Sequence, residues 1–217
     1  MKDYLTLNTI SELFCLAIGI FCLYRDKDKV WKSFILFLLF TCLTELAGVY
    51  VRKEYHTNFW IYNIYLVVEC VVTNYFLYHL INPNQHLRKL LMGWFVIFLC
   101  FYFNELYVKH FNAYVSAATT FLSVELILAS IYYYYRLLKE ESYRKLSKDA
   151  SFWWVNGTIC FYFAGIATNI FFSYLLFDKT YITKSVSYFL FSLQNVILYS
   201  CWSYSFICRY LQRSSSP

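Results

Sequence analysis

Seven apolar stretches, each long enough to cross a bilayer and each closed by a short polar loop, fill most of this 217-residue chain. They lie at about 5–24, 33–51, 59–81, 90–108, 112–135, 152–177 and 185–208. A hydrocarbon core about 30 Å thick takes roughly 20 residues of α-helix to cross. Inside it every backbone N–H and C=O must be satisfied by protein, which only helices or a closed barrel achieve. The apolar runs are continuous rather than alternating, so they select helices. The sequence predicts an all-α polytopic membrane protein, a single seven-helix transmembrane domain over residues 1–217. Residues 5–24 read as a retained first helix, because no convincing small-residue cleavage site follows them.

Composition closes off the soluble alternative. The chain is 60% hydrophobic and only 15% charged, with a mean hydropathy of +0.45, whereas soluble domains carry about 25% charged residues. One small globule cannot bury that much apolar surface. Output from so compact a membrane domain must pass through its loops or a separate chain.

Lys and Arg set the predicted orientation. With the N-terminus outside, thirteen of the 19 basic residues fall in inner segments, four of them (Arg25, Lys27, Lys29 and Lys32) in the first inner loop. Six, including Arg52, Lys53 and Lys109, fall outside. The positive-inside rule therefore predicts N-terminus out and C-terminus in. This bias accounts for the net charge of +6 without a nucleic-acid partner. Trp31, Trp60, Trp94, Trp153 and Trp154 lie close to span ends and read as an aromatic belt at headgroup depth. All eight cysteines fall in or beside the apolar spans, where they serve as small apolar residues. No Cys/His spacing suggests a metal, and no motif implies a cofactor.

Charged groups at membrane depth cost at least a few kcal/mol each and mark functional sites. Glu12, Glu45, Glu69 and Glu125 qualify, and no Lys or Arg lies deep enough to pair with them. Helical phase gathers further polar groups. Tyr62, Tyr65, Glu69 and Phe76 share a stripe on the third helix, and Thr158, Tyr162, Gly165 and Asn169 share one on the sixth. On the seventh, Tyr188, Ser192, Asn195, Tyr199 and Trp202 do the same. The expected ligand-binding set is Glu12, Glu45, Tyr62, Tyr65, Glu69, Asn169, Asn195 and Tyr199, around an outer-half pocket. The competing interpretation is that such groups only bond helices together, at roughly 0.6–2 kcal/mol per contact; it applies most readily to Asn63, Asn74, Asn156 and Thr158.

No catalytic motif is present, so the chain reads as a non-enzyme. There is no HExxH pair, and no lysine in the seventh span to carry a retinal Schiff base. Three functions remain: a receptor-like sensor signalling to a cytoplasmic or membrane partner through its basic inner loops, a transporter or channel using the glutamates, and a ligand-free membrane effector or assembly subunit. No internal repeat of the transporter kind is visible.

The segments Thr44-Glu45-Leu46-Ala47-Gly48-Val49-Tyr50, Ile61-Tyr62-Asn63-Ile64-Tyr65 with Glu69, and Phe152-Trp153-Trp154 through Asn156-Gly157 to Tyr162 and Gly165 together resemble small, sensor-like heptahelical inner-membrane proteins of Bacteroidota. The resemblance covers the second, third and sixth helices, about a third of the chain. It implies a bacterial inner membrane and a signalling role, and it carries over no ligand and no catalytic residue.

Overall fold

The computed structural model describes residues 6–82, 85–139, 145–175 and 181–214, with side chains described except at 85–88, 169–175, 181–185 and 187. These residues form seven α-helices: α1 (Leu7–Leu23), α2 (Lys29–Tyr55), α3 (Phe59–Ile81), α4 (Gln85–Lys109), α5 (Ser116–Lys139), α6 (Ala150–Leu175) and α7 (Tyr181–Ser214). Four segments are long and apolar enough to cross a membrane: Lys29–Tyr55, Phe59–Ile81, Lys89–Lys109 and Ser116–Lys139. α1 is a shorter apolar helix.

Several helices run past their apolar stretches, because local chemistry at the ends favours it. α2 begins at Lys29 rather than near residue 33, since Asp28 caps it by accepting the Val30 N–H at 2.9 Å. It continues to Tyr55 with Arg52 and Lys53 in its last turn, where cations suit the helix dipole. His56 then stops it in the left-handed region, φ 61°. α1 is capped by Thr6, whose hydroxyl accepts the Thr9 N–H. Asp149 Oδ1 accepts the N–H groups of Ser151 and Phe152 at the start of α6.

Six helices close a ring. α1 packs on α2, α2 on α3, α3 on α5, α5 on α6, α6 on α7, and α7 back on α1. α4 stands outside this ring and leans on α5. The outward faces carry large apolar side chains such as Phe14, Leu36, Phe103 and Phe163, each more than 60% exposed. Apolar residues on both the interior and the exterior are what a lipid-facing bundle requires.

One half of the ring is filled with aromatic rings. Phe34 on α2 is fully buried and lies within 6 Å, centroid to centroid, of Phe37, Phe76, Trp154, Trp202 and Phe206. Trp154 and Trp202 stack in parallel at 5.7 Å across the α6–α7 interface. This corrects the belt assignment for two tryptophans. Trp154 is completely buried, and Trp31 is 2% exposed with its ring edge-on to Phe76 at 4.8 Å. Both sit near a helix start, but the helical phase turns them inward. Trp60 is 47% exposed, as a belt residue is expected to be.

Gly157 is what allows the close α6–α7 approach. A Cβ there would lie 2.7 Å from Cys201 Cβ and 3.3 Å from the Leu198 carbonyl oxygen. Gly165, expected on the inward stripe with Thr158 and Tyr162, has open space around it. Tyr188 also departs from its predicted inward stripe, being 56% exposed. All eight cysteines are free thiols.

The end of the bundle where α1 meets α2 is locked by charge. Asp26, whose side chain is almost wholly buried, receives Arg209 Nε at 3.0 Å and Arg213 Nη1 at 3.5 Å from α7. Asp28 receives His79 Nε2 at 2.9 Å from α3 and Arg209 Nη2 at 3.5 Å. Arg209 also lies over the Trp31 ring, 5.2 Å from its centroid. Burial pushes the Asp26 carboxyl upward, but hydrogen bonds from Arg209 and the Asp28 N–H, with the charges of Arg209 and Arg213, outweigh it and hold the group below its ordinary value of 3.8.

Two outcomes are expected. Gly157→Leu forces α6 from α7 and lowers stability by about 1–3 kcal/mol or more, read as a lower thermal unfolding midpoint. A carboxyl with a depressed folded value contributes stability that is present above its ordinary value and lost as pH falls through the folded one. The unfolding midpoint of the wild type should therefore fall on acidification below about pH 4 more steeply than that of Asp26→Asn.

Candidate functional site

Next to the aromatic cluster, and sharing Phe37 and Trp202 with it, lies a polar cavity of about 200 Å³. Its walls include Asn8 and Glu12 of α1, Thr41, Thr44 and Glu45 of α2, Tyr62, Tyr65 and Glu69 of α3, and Asn195, Tyr199 and Trp202 of α7. Phe161 of α6 and Tyr114, from the link between α4 and α5, complete it. Seven of the eight residues predicted to bind a ligand line this one space; the eighth, Asn169, lies outside the residues whose side chains are described.

Each carboxyl is met by a tyrosine from a neighbouring helix. Tyr62 Oη donates to Glu45 Oε2 at 2.8 Å, joining α3 to α2. Tyr162 Oη donates to Glu69 Oε1 at 2.6 Å, joining α6 to α3. Tyr199 Oη makes a longer contact, 3.4 Å, to Glu12 Oε1, joining α7 to α1. Tyr65 Oη lies 2.9 Å from Thr41 Oγ1, whose own proton goes to the Phe37 carbonyl at 3.0 Å, so the tyrosine is the donor. Glu12 and Glu45 are close enough to feel one another's charge.

Local packing sets these contacts. Gly48 is one turn beyond Glu45, and a Cβ on it would fall 2.7 Å from Tyr62 Oη. The missing side chain lets the phenol lie against α2 and reach the carboxylate. Asn58 holds the α2–α3 turn by donating to the Gly48 carbonyl at 3.0 Å. On the far side, Asn63 works as a clamp: its amide donates to the Ala113 carbonyl at 3.1 Å and accepts the Val115 N–H at 3.2 Å, while Tyr102 donates to its carbonyl at 3.0 Å. That fixes the α4–α5 link, which carries Tyr114, over the cavity.

The hydrogen-bond account of the cavity is unbalanced toward acceptors. Tyr62, Tyr65 and Tyr199 direct their protons at neighbouring oxygens, and Trp202 Nε1 donates to Thr158 Oγ1 at 3.3 Å. Asn8 Oδ1 and Glu12 Oε2 are buried with no protein partner. None of the described lining residues is basic. The space presents unfilled acceptors and three carboxyl groups, framed by aromatic rings.

Sequence reasoning missed Asn8, Thr41, Thr44 and Tyr114. Thr41 lies four residues before Glu45, so the 3.6-residue period already put it on the same face of that helix. Tyr114 had no such signal, because its place depends on the Asn63 clamp. Glu125, the fourth glutamate expected at membrane depth, faces a separate space between α4 and α5. A relay through all four glutamates would therefore have to join two cavities. Among the described residues no group of three or more His, Cys, Asp or Glu side chains is placed to hold a metal ion.

No protein-family model matches the sequence, and no curated protein and no solved structure matches it. The chemistry of the cavity alone supports a functional assignment.

Gly48→Ala should push the Tyr62 ring away and break its bond to Glu45. The tyrosine hydroxyl resonance or ultraviolet Raman signature of Tyr62, assigned by comparison with Tyr62→Phe, is expected to shift to that of a phenol without a carboxylate acceptor; an unchanged signature contradicts this geometry.

Proposed function

We propose that the chain is a seven-span, multi-pass protein of a bacterial inner membrane, N-terminus out and C-terminus in, that binds a small cationic ligand in the carboxylate cavity and signals the event to a partner. The observation that carries this reading is the convergence of three carboxyls and two unpartnered buried acceptors on one enclosed space. Buried acceptors left without donors cost about 1–3 kcal/mol each, so an occupant that donates hydrogen bonds is favoured over one that accepts them. An ammonium group donates and also neutralises carboxylates, and aromatic walls attract it through their ring faces. At about 200 Å³ the cavity is smaller than the roughly 300–1,000 Å³ of drug-sized sites, which restricts the ligand to a small amine. Its proposed role is recognition of that ligand.

The route to a partner follows the aromatic cluster. Trp202 lines the cavity and lies 5.0 Å from Phe34, Phe34 lies 4.9 Å from Phe76, and Phe76 lies 4.8 Å from Trp31. Trp31 lies under Arg209, which holds Asp26 and Asp28. A ligand that shifts α7 against α2 would thus reach the charged end, where Arg25, Lys27 and Lys29 face the proposed cytoplasmic side. A cytoplasmic or membrane partner would read that surface.

The observation favouring a transporter instead is that Glu12, Glu45 and Glu69 share one cavity, as a proton or cation pathway needs. That reading predicts pH-dependent flux across liposomes, which a receptor does not support.

Nanodisc-embedded protein titrated with methylammonium, choline and acetate distinguishes the ligand classes. A small cation is expected to raise the unfolding midpoint saturably. Glu45→Gln and Glu69→Gln should weaken that response by about tenfold or more while the ligand-free variants stay folded. Stabilisation by acetate alone, or an unchanged cation response in both variants, overturns the assignment.

A further inference from the structure

A second carboxyl is buried in this bundle away from the cavity just described. Glu125 on α5 is 2% exposed, and neither of its carboxyl oxygens has a hydrogen-bond partner. The Asn74 side chain lies beside it, close enough for a weak polar contact with the carboxyl, while with full hydrogen-bond geometry its amide donates to Cys70 Sγ at 3.6 Å. The carboxyl borders a cavity of about 230 Å³ between α4 and α5, whose other walls include Leu91, Trp94 and Ala129.

This space has an apolar neighbour. Leu91 is also a wall of a cleft of about 300 Å³ between α3 and α4, together with Val71, Asn74 and Met92. Asn74 lines this cleft and its neighbour Glu125 lines the other cavity, with Leu91 a wall of both. Met92 is 65% exposed and Val71 46%, so the cleft opens on the lipid-facing side of the bundle. It exists because α4 stands outside the helical ring and packs on α5.

We propose that this cleft binds an amphiphilic cation, a molecule with an apolar body and a protonated amine head, which seats its head on Glu125. The carboxyl selects the head: a buried carboxyl with unfilled oxygens is satisfied by a cation that donates hydrogen bonds to it and balances the charge it takes on when ionised. The apolar walls and the opening toward lipid select the body. A plain acyl chain would fill the cleft and leave the carboxyl as it was, and an anionic headgroup would be repelled by it. The site is distinct from the carboxylate cavity, whose enclosed volume takes a small ligand without an alkyl chain.

The test is equilibrium binding of tritiated dodecylammonium to the full chain in phosphatidylcholine nanodiscs, measured above the uptake of empty nanodiscs. The wild type should bind saturably, and unlabelled dodecanol should compete at least about tenfold less well than unlabelled dodecylammonium. Glu125→Gln should weaken binding by a similar factor. Ala129→Leu, which fills the cavity beside the carboxyl without altering charge, should weaken it as well and decides the matter should Glu125→Gln not be recovered folded. Absence of saturable binding, equal competition by the alcohol, or wild-type binding in a folded variant overturns the proposal.

Discussion

A carboxyl group inside an apolar helical ring is costly unless another group answers it, and here three are answered by tyrosines. The Tyr62–Glu45, Tyr162–Glu69 and Tyr199–Glu12 contacts each join two different helices. Together they tie α1, α2, α3, α6 and α7 around the cavity, so the groups that define the site also position its walls. A glutamine in each place would make similar bonds at lower cost.

The rest of the architecture serves that arrangement from two sides. The aromatic cluster around Phe34 packs beside the cavity and fixes α2 against α3, α6 and α7. At one end, Asp26 and Asp28 gather the arginines of α7 and His79 of α3. The Gly157 and Gly48 positions let helices and rings approach where a side chain would hold them apart. An apolar exterior surrounds all of this, as expected of a bundle in lipid.

Much of this was legible before the fold was known, because length and hydropathy define helices in lipid and a 3.6-residue phase gathers polar groups on one face. Tyr62, Tyr65 and Glu69 were placed on one stripe by spacing and Glu45 was singled out as a carboxyl at membrane depth, and the structure brings them into one space with Glu12, Asn195 and Tyr199. Spacing does not report the neighbours of a helix. It gave no sign that α4 would stand outside the ring, or that Glu125 would face a different cavity. Nearness to a helix end likewise does not fix depth or direction, which is why Trp31 and Trp154 look like interfacial anchors in sequence and are core residues in space. The contribution of Tyr114 depends on a clamp formed by Asn63, fifty residues or more from the link it holds, and local sequence cannot reveal that.

The central claim is that the cavity is a preformed receptor for a small cation, with Asn8 and Glu12 as its open acceptors. A structure of the protein in lipid nanodiscs with methylammonium tests it most directly. The account predicts density for the cation within hydrogen-bonding distance of Glu12 Oε2 or Asn8 Oδ1, with the tyrosine–carboxylate pairs intact around it. A collapsed cavity, with Glu12, Glu45 and Glu69 packed against protein groups and no cation between them, would contradict it and leave these residues as bonds between helices.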